Sequence, residues 1–320
     1  MFDPVLVPLD GSLLAECALP HAVAIARAFN AKVVLLRVLD RNQANGKAQL
    51  LDLVNWQINK TGAKLYMEKT AARLEKAGLR VEAEVLEGLV AESITEFSQS
   101  RGMKLIILSS HGHSGLSQWG ISSVTQKIIF SAPTSVLIIR AHQPQSGELI
   151  EGQYKRIMLP LDGSRRAENV LPMVTLLARF HQSWIHIVHV VKTPEMARQL
   201  PLAREDVELS NRFVTRNREE AIRYLDQVRL HSPMDGIAVQ THLLTSDNAA
   251  AALHELAEKE GVDMVALSAH GYSGYNQWPY GGMVNNFVLY SKVPLLIVQD
   301  LPAKEEPAII EMTPREHSSD

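Results

Sequence analysis

Two short loops in this chain carry residue types suited to holding a ligand, and each loop occurs twice. The first is Pro8-Leu9-Asp10-Gly11-Ser12, matched by Pro160-Leu161-Asp162-Gly163-Ser164. Its carboxylate can accept hydrogen bonds from a ligand hydroxyl or amine, and its serine can cap a following helix. An Asp-Gly-Ser turn entering a helix is also ordinary capping chemistry, so this loop alone does not mark a site. The second loop is Ser109-Ser110-His111-Gly112-His113-Ser114-Gly115, continuing to Ser122 and Ser123. Glycines and small hydroxyl residues let backbone amides approach a phosphate, and a helix N-terminus adds a favourable dipole. Turns need glycine for backbone reasons as well, so the second loop is equally weak by itself.

Catalytic and metal chemistry find less support. His111 and His113 flank Gly112, but the second copy has His270 and Tyr272, and no neighbouring carboxylate or cysteine completes a ligand set. No Gly-x-Ser-x-Gly elbow is present. No base and no metal ligands for a hydrolytic reaction can be identified. His21 and His186 read as packed or surface histidines on helix or strand faces. Cys17 sits in an apolar helical pattern and reads as packed.

The elements that position these loops follow from an internal repeat. The stretch VLVPLDGSLLAECALP from Val5 recurs as IMLPLDGSRRAENVLP from Ile157, an offset of 152 residues. LIILSSHGHSGLSQW from Leu105 recurs as MVALSAHGYSGYNQW from Met264 at an offset of 159, so seven residues are inserted midway through the second copy. A repeat unit of about 140 residues is too long for a solenoid and makes each copy a domain. The expected division is domain 1 at 1–140, a polar linker at 141–154, domain 2 at 155–301 and a charged, proline-containing tail at 302–320.

Within the first copy the apolar pattern predicts strands at Val5 to Leu9, Val33 to Val38, Val81 to Leu86, Leu105 to Ser109 and Val136 to Ile139. Helical spacing predicts segments at Ser12 to Phe29, Ala48 to Ala77 (closed by Gly78), Ala91 to Ser100 and after Ser122. Alternation of this kind gives an α/β fold, two tandem five-stranded parallel open-sheet domains covered on both faces. Ligands of such sheets bind beyond the carboxyl ends of the strands where the strand order reverses, which is where both loops fall.

Composition narrows the setting. With 32 basic and 35 acidic residues in 320 and no long block of one sign, neither nucleic acid nor an acidic membrane is an expected partner. A single cysteine suits a reducing compartment. The N-terminus lacks a signal-peptide pattern, and no apolar run approaches the roughly 20 residues of a membrane span. Cytoplasm is the expectation.

Taken together, the PLDGS turn, the helix with Ala15, Glu16, Leu19 and Pro20, and the SHGHSGL loop resemble the universal stress protein family over both copies. The resemblance implies a Rossmann-like, adenine nucleotide alpha hydrolase-like domain that dimerises through its fifth strand. In one subgroup it implies ATP, with Mg a possible companion, held by a pattern of Gly, two residues, Gly, nine residues, then Gly followed by Ser or Thr.

The chain departs from that pattern. In copy one the positions fall on Ser109, Gly112 and Ser122, with Ser123 at the hydroxyl. In copy two they fall on Ser268, Gly271 and Gly281, with Gly282 replacing the hydroxyl. If the first position needed a positive φ, serine would cost about 1 to 2 kcal/mol there. Copy one thus keeps a phosphate-compatible serine and copy two the late glycine. Asp10 and Asp162 match the family's aspartate near the nucleoside, and Val38 and Val190 the apolar residue beside the base. Val124 and Met283 follow the hydroxyl position, with a role in the core as the alternative. Trp278-Pro279-Tyr280 would either fill the phosphate region or stack on a ligand.

The fifth strands, Ser135 to Ile139 and Pro294 to Val298, are strongly apolar for sheet edges, which predicts that the two copies pair across them as an internal pseudo-dimer. A homodimer and a regulatory protein partner are further expectations. Two functions follow: an adenine-nucleotide-binding stress regulator, or a nucleotide-free scaffold acting through protein contacts; weak ATP hydrolysis, lacking an identifiable base and metal ligands, ranks below both.

Overall fold

A computed structural model describes residues 1–40, 49–112, 120–141, 152–193, 204–271 and 280–299. His113, Ser114, Gly115, Tyr272, Trp278, Pro279, residues 142–151 of the expected linker and the tail lie outside the described residues.

In the first copy β1 (Val5–Pro8), α1 (Leu13–Glu16), α2 (Ala18–Phe29), β2 (Val33–Leu39), α3 (Gln49–Lys76), β3 (Val81–Glu87), α4 (Val90–Ser100), β4 (Leu105–Ser109), α5 (Ser123–Ser131) and β5 (Ser135–Ile139) follow in order. The second copy repeats them as β6 (Arg156–Pro160), α6 (Arg165–Glu168), α7 (Leu171–His181), β7 (Trp184–Lys192), α8 (Arg204–His231), β8 (Ala238–Ser246), α9 (Ala249–Lys259), β9 (Met264–Ser268), α10 (Gly282–Tyr290) and β10 (Leu295–Val298).

The segment read as one helix over Ser12 to Phe29 is two, α1 and α2, with the break at Cys17. Pro20 supplies the reason. It has no amide to give the carbonyl of Glu16, and its ring would crowd that carbonyl in a continuous helix. Pro172 sits at the same place in the second copy, near the start of α7. Gly78 ends α3 with φ at +85°, and its amide donates to the Glu75 carbonyl at 2.8 Å.

All strands join one ten-stranded sheet in the order β3-β2-β1-β4-β5-β10-β9-β6-β7-β8. Each copy is parallel within itself, and its order reverses between β1 and β4, or between β6 and β9. The expected pairing of fifth strands is present: β5 and β10 run antiparallel with Leu137 opposite Leu296 and Ile138 opposite Leu295. The two copies therefore point the carboxyl ends of their strands in opposite directions. The outer edges, β3 and β8, carry Glu82, Glu84, Gln240 and His242, polar groups that discourage further pairing.

Two apolar layers cover the sheet, and both run through the junction. One packs α2, α3, α7 and α8 around residues such as Ile25, Met67, Val174 and Leu225. The other packs α4, α5, α9 and α10 around Ile94, Ile129, Leu253 and Phe287. Tyr154, placed in the linker by sequence, is fully buried in the first layer. Its hydroxyl lies 2.7 Å from His21 Nδ1 on α2, and its ring meets His181 of α7 edge-on. No helix among the described residues is long and apolar enough to cross a membrane.

Candidate functional site

Asp10 follows β1 and Gly112 follows β4, the two strands that flank the reversal of strand order. Their proximity is close: a Cβ built on Gly112 would lie 2.1 Å from Asp10 Oδ2, and one on Gly271 would lie 2.1 Å from Asp162 Oδ2. Both loops therefore meet at the same end of each sheet. Glycine is required at Gly112 and Gly271 because the carboxylate occupies the space of a side chain. At Gly11 and Gly163 the cause differs, since φ is +86° and +88°.

The Asp-Gly-Ser turns do the capping work expected of them. Asp10 Oδ1 accepts from the Ser12 amide at 2.8 Å, and Ser12 Oγ accepts from the Ala15 amide at 3.1 Å. In copy two Asp162 Oδ1 accepts from both the amide and the hydroxyl of Ser164, and Ser164 Oγ caps α6 through the Ala167 amide. One carboxylate oxygen thus fixes the turn while the other faces the glycine loop.

Ser109 and Ser268 end β4 and β9 in extended backbone, paired with Ile139 and Val298. Neither has a positive φ, so the strain considered for serine at this position does not arise. The two serines differ in their partners. Ser109 Oγ accepts from the Cys17 thiol at 3.4 Å and from the His111 amide at 3.3 Å. Ser268 is 8 % exposed, and its Oγ has no partner among the described residues. Cys17 is packed, as its pattern suggested, and burial raises its thiol pKa.

The helix N-termini differ in the same sense. Ser122 Oγ accepts from the Thr125 amide at 3.1 Å, which caps α5, and its own proton goes to Thr125 Oγ1 at 2.9 Å. Gly281 occupies the same place before α10 and has no side chain with which to cap it. Ser123 is exposed, and Val124, at 38 % exposure, is not a core residue. Val38, Val190 and Met283 are half-buried against the second apolar layer.

Copy two has a half-open cavity of about 840 Å³ at this end of its strands. The copy-two residues matched to the family's binding pattern, Asp162, Val190, Ser268, Gly271, Gly281, Gly282 and Met283, lie on its wall. The volume falls in the range of small-molecule sites. Sequence reading missed His189, Lys192, Asn248, Leu253 and Asn286, which also line it, as does His270, weighed there only as a metal ligand. Asn248 could have been found, because Ser246-Asp247-Asn248 before four alanines is a capping signal, and its Oδ1 does accept from the Ala251 amide at 3.1 Å. His189 gave no signal; its Nδ1 donates to the Leu161 carbonyl at 2.8 Å, which fixes the ring at the cavity wall.

Tyr280 is not on that wall; it is 3 % exposed and packs against Phe130 of the other copy. Neither role considered for its ring, filling the phosphate region or stacking on a ligand, is available from that position. His21 and His186 are packed, the latter stacked on His242 with ring nitrogens 3.0 Å apart. Among the described residues no three His, Cys, Asp or Glu side chains converge as a metal site requires.

Comparison with known proteins agrees with this architecture. Residues 1–140 and 153–299 each match the model of the universal stress protein family. A stretch of 145 residues is 28 % identical to universal stress protein MJ0531 of Methanocaldococcus jannaschii, covering 44 % of this chain and 83 % of that protein. Universal stress protein YxiE of Bacillus subtilis is 28 % identical over 149 residues, covering 44 % of this chain and 100 % of that one. A universal stress protein of Archaeoglobus fulgidus superposes on 94 % of this chain and 99 % of its own with a TM-score of 0.66 at 16 % identity, a likeness of fold. With a family match on each half and a whole-length structural counterpart, the chain belongs to the universal stress protein family as a tandem two-domain member.

Proposed function

We propose that the chain is a cytoplasmic stress-response regulatory module that binds an adenine nucleotide, ATP foremost, in its second copy. The observation that carries this reading is the buried Ser268 hydroxyl, which has no partner among the described residues, on the wall of a cavity that the N-terminus of α10, without a side-chain cap, also lines. A buried hydroxyl without a partner costs about 1 to 3 kcal/mol, and a phosphate oxygen would supply the missing bond. The first-turn amides of α10 and its dipole favour an anion at the same place. Val188, Val190 and Leu253 offer an apolar wall for a base, and Asp162 a carboxylate for a hydroxyl or amine. Any Mg would arrive on the phosphates.

The first copy supports the scaffold reading for itself. Its equivalent hydroxyls, Ser109 and Ser122, already have partners within the loop and helix. We assign it a structural part in the pairing of the copies, with regulation passing to a protein partner. Because β5 and β10 pair with each other, a homodimer would use a different surface.

The test is direct. The purified protein is denatured and its supernatant assayed for adenine nucleotides, and ATP is then titrated into the emptied protein. Carry-over or saturable binding below the millimolar range is expected. Absence of both rejects the nucleotide reading in favour of the scaffold.

A further inference from the structure

Each site helix reaches the other copy's site loop. α10 begins at Gly282 on the cavity rim and ends at Tyr290. Because β5 and β10 are antiparallel, that far end lies where the first copy has its own loops. There Arg140, the residue after β5, donates from Nη2 to the Phe287 carbonyl at 3.1 Å and to the Val288 carbonyl, and from Nη1 to the Gly120 carbonyl at 3.3 Å. Gly120 lies two residues before Ser122, with φ at +103°. The reverse contact has the same logic. α5 starts at Ser123 in the first copy's loop, and its Phe130 meets Tyr280, the residue before Gly281, with ring centroids 6.0 Å apart.

Arg140 suits a joint of this kind. Its planar fork points donors in fixed, separate directions, so it can hold carbonyls from two separate elements with less ordering than the compact, freely rotating ammonium of lysine would need. The carbonyls at the end of α10 carry the negative end of the helix dipole, and among the described residues no carboxylate pairs with the guanidinium. Burial lowers its pKa to about 10, which leaves it charged at neutral pH.

We propose that Arg140 is a positioning residue shared by the two copies: it ties the Gly120 loop of the first to α10, whose N-terminus forms the cavity rim of the second, so that ordering one loop orders the other. The effect on nucleotide affinity rests on the function proposed above; the mechanical link does not.

Hydrogen exchange of the full chain, followed by mass spectrometry without nucleotide, separates the two. In Arg140→Gln, exchange is expected to rise about fivefold or more across both 120–126 and 282–290. Nucleotide affinity is expected to weaken about tenfold. Arg140→Lys, which keeps the charge but loses the fork, should fall between and serves alone if the glutamine variant does not fold. Exchange that rises in only one segment, or in neither, overturns the link. Faster exchange in both segments with unchanged affinity overturns the positioning role. If the wild type binds no nucleotide while both segments respond, the link stands and the nucleotide reading fails.

Discussion

Asp162 Oδ2 occupies the space that a side chain on Gly271 would need, 2.1 Å from its Cβ position, and Asp10 stands in the same relation to Gly112. The two loops of each copy are thus locked against each other by a carboxylate that also fixes the first turn of the next helix. Gly271→Ala must displace that carboxylate, at a cost of about 1 to 3 kcal/mol by the scale of overpacking. Gly112→Ala should cost a similar amount. Only the first should abolish nucleotide binding, and thermal unfolding together with ATP titration of the two variants checks both statements.

Ser268→Ala and Ser109→Ala should behave oppositely. Removing the Ser268 hydroxyl, which has no partner among the described residues, should leave stability unchanged or raise it by about 1 kcal/mol, while weakening ATP binding about tenfold. Removing Ser109 Oγ breaks bonds with Cys17 and His111, and should cost about 1 kcal/mol without effect on ATP. Chemical denaturation and titration of each variant give the readings. An equal loss of stability in both would contradict the asymmetry.

The copies are held together by an apolar strand pair with no room for charge. Ile138 is fully buried opposite Leu295. Ile138→Lys should destabilise the protein by on the order of 4 kcal/mol or more, and split the halves or aggregate the chain. Light scattering and denaturation report the outcome.

Acid should loosen the contact between α2 and Tyr154. Burial lowers the His21 pKa to about 4, so the ring is neutral in the folded protein, where its Nδ1 shares a hydrogen bond with the Tyr154 hydroxyl. Unfolded histidine titrates near 6.5, so below that pH the unfolded chain takes up a proton that the folded one refuses. Stability should fall as pH drops from about 6.5 to about 4, by about 2 to 3 kcal/mol. In His21→Gln that part of the pH dependence should vanish, as urea unfolding at several pH values can show.

Much of this architecture was legible because a repeat states the same message twice. The five apolar runs of copy one, the position of both loops and the pairing of the fifth strands all follow from period and edge character. The break at Cys17 was legible in principle, since Pro20 forbids a continuous helix, but amphipathic spacing alone ran the two pieces together. The asymmetry of the sites was not legible. Ser109 and Ser268 are the same residue at the same motif position, and among the described residues Cys17 and His111 satisfy the first while the second has no partner. Tyr154 was read as linker because local composition cannot show a partner 133 residues away on α2.

On the proposed function, one nucleotide binds per chain, in the second copy. Calorimetric titration of ATP into the wild type, Asp10→Ala and Asp162→Ala measures it. A single site per chain is expected, kept in Asp10→Ala and lost in Asp162→Ala. Two sites per chain, or binding that survives Asp162→Ala and disappears in Asp10→Ala, would contradict it.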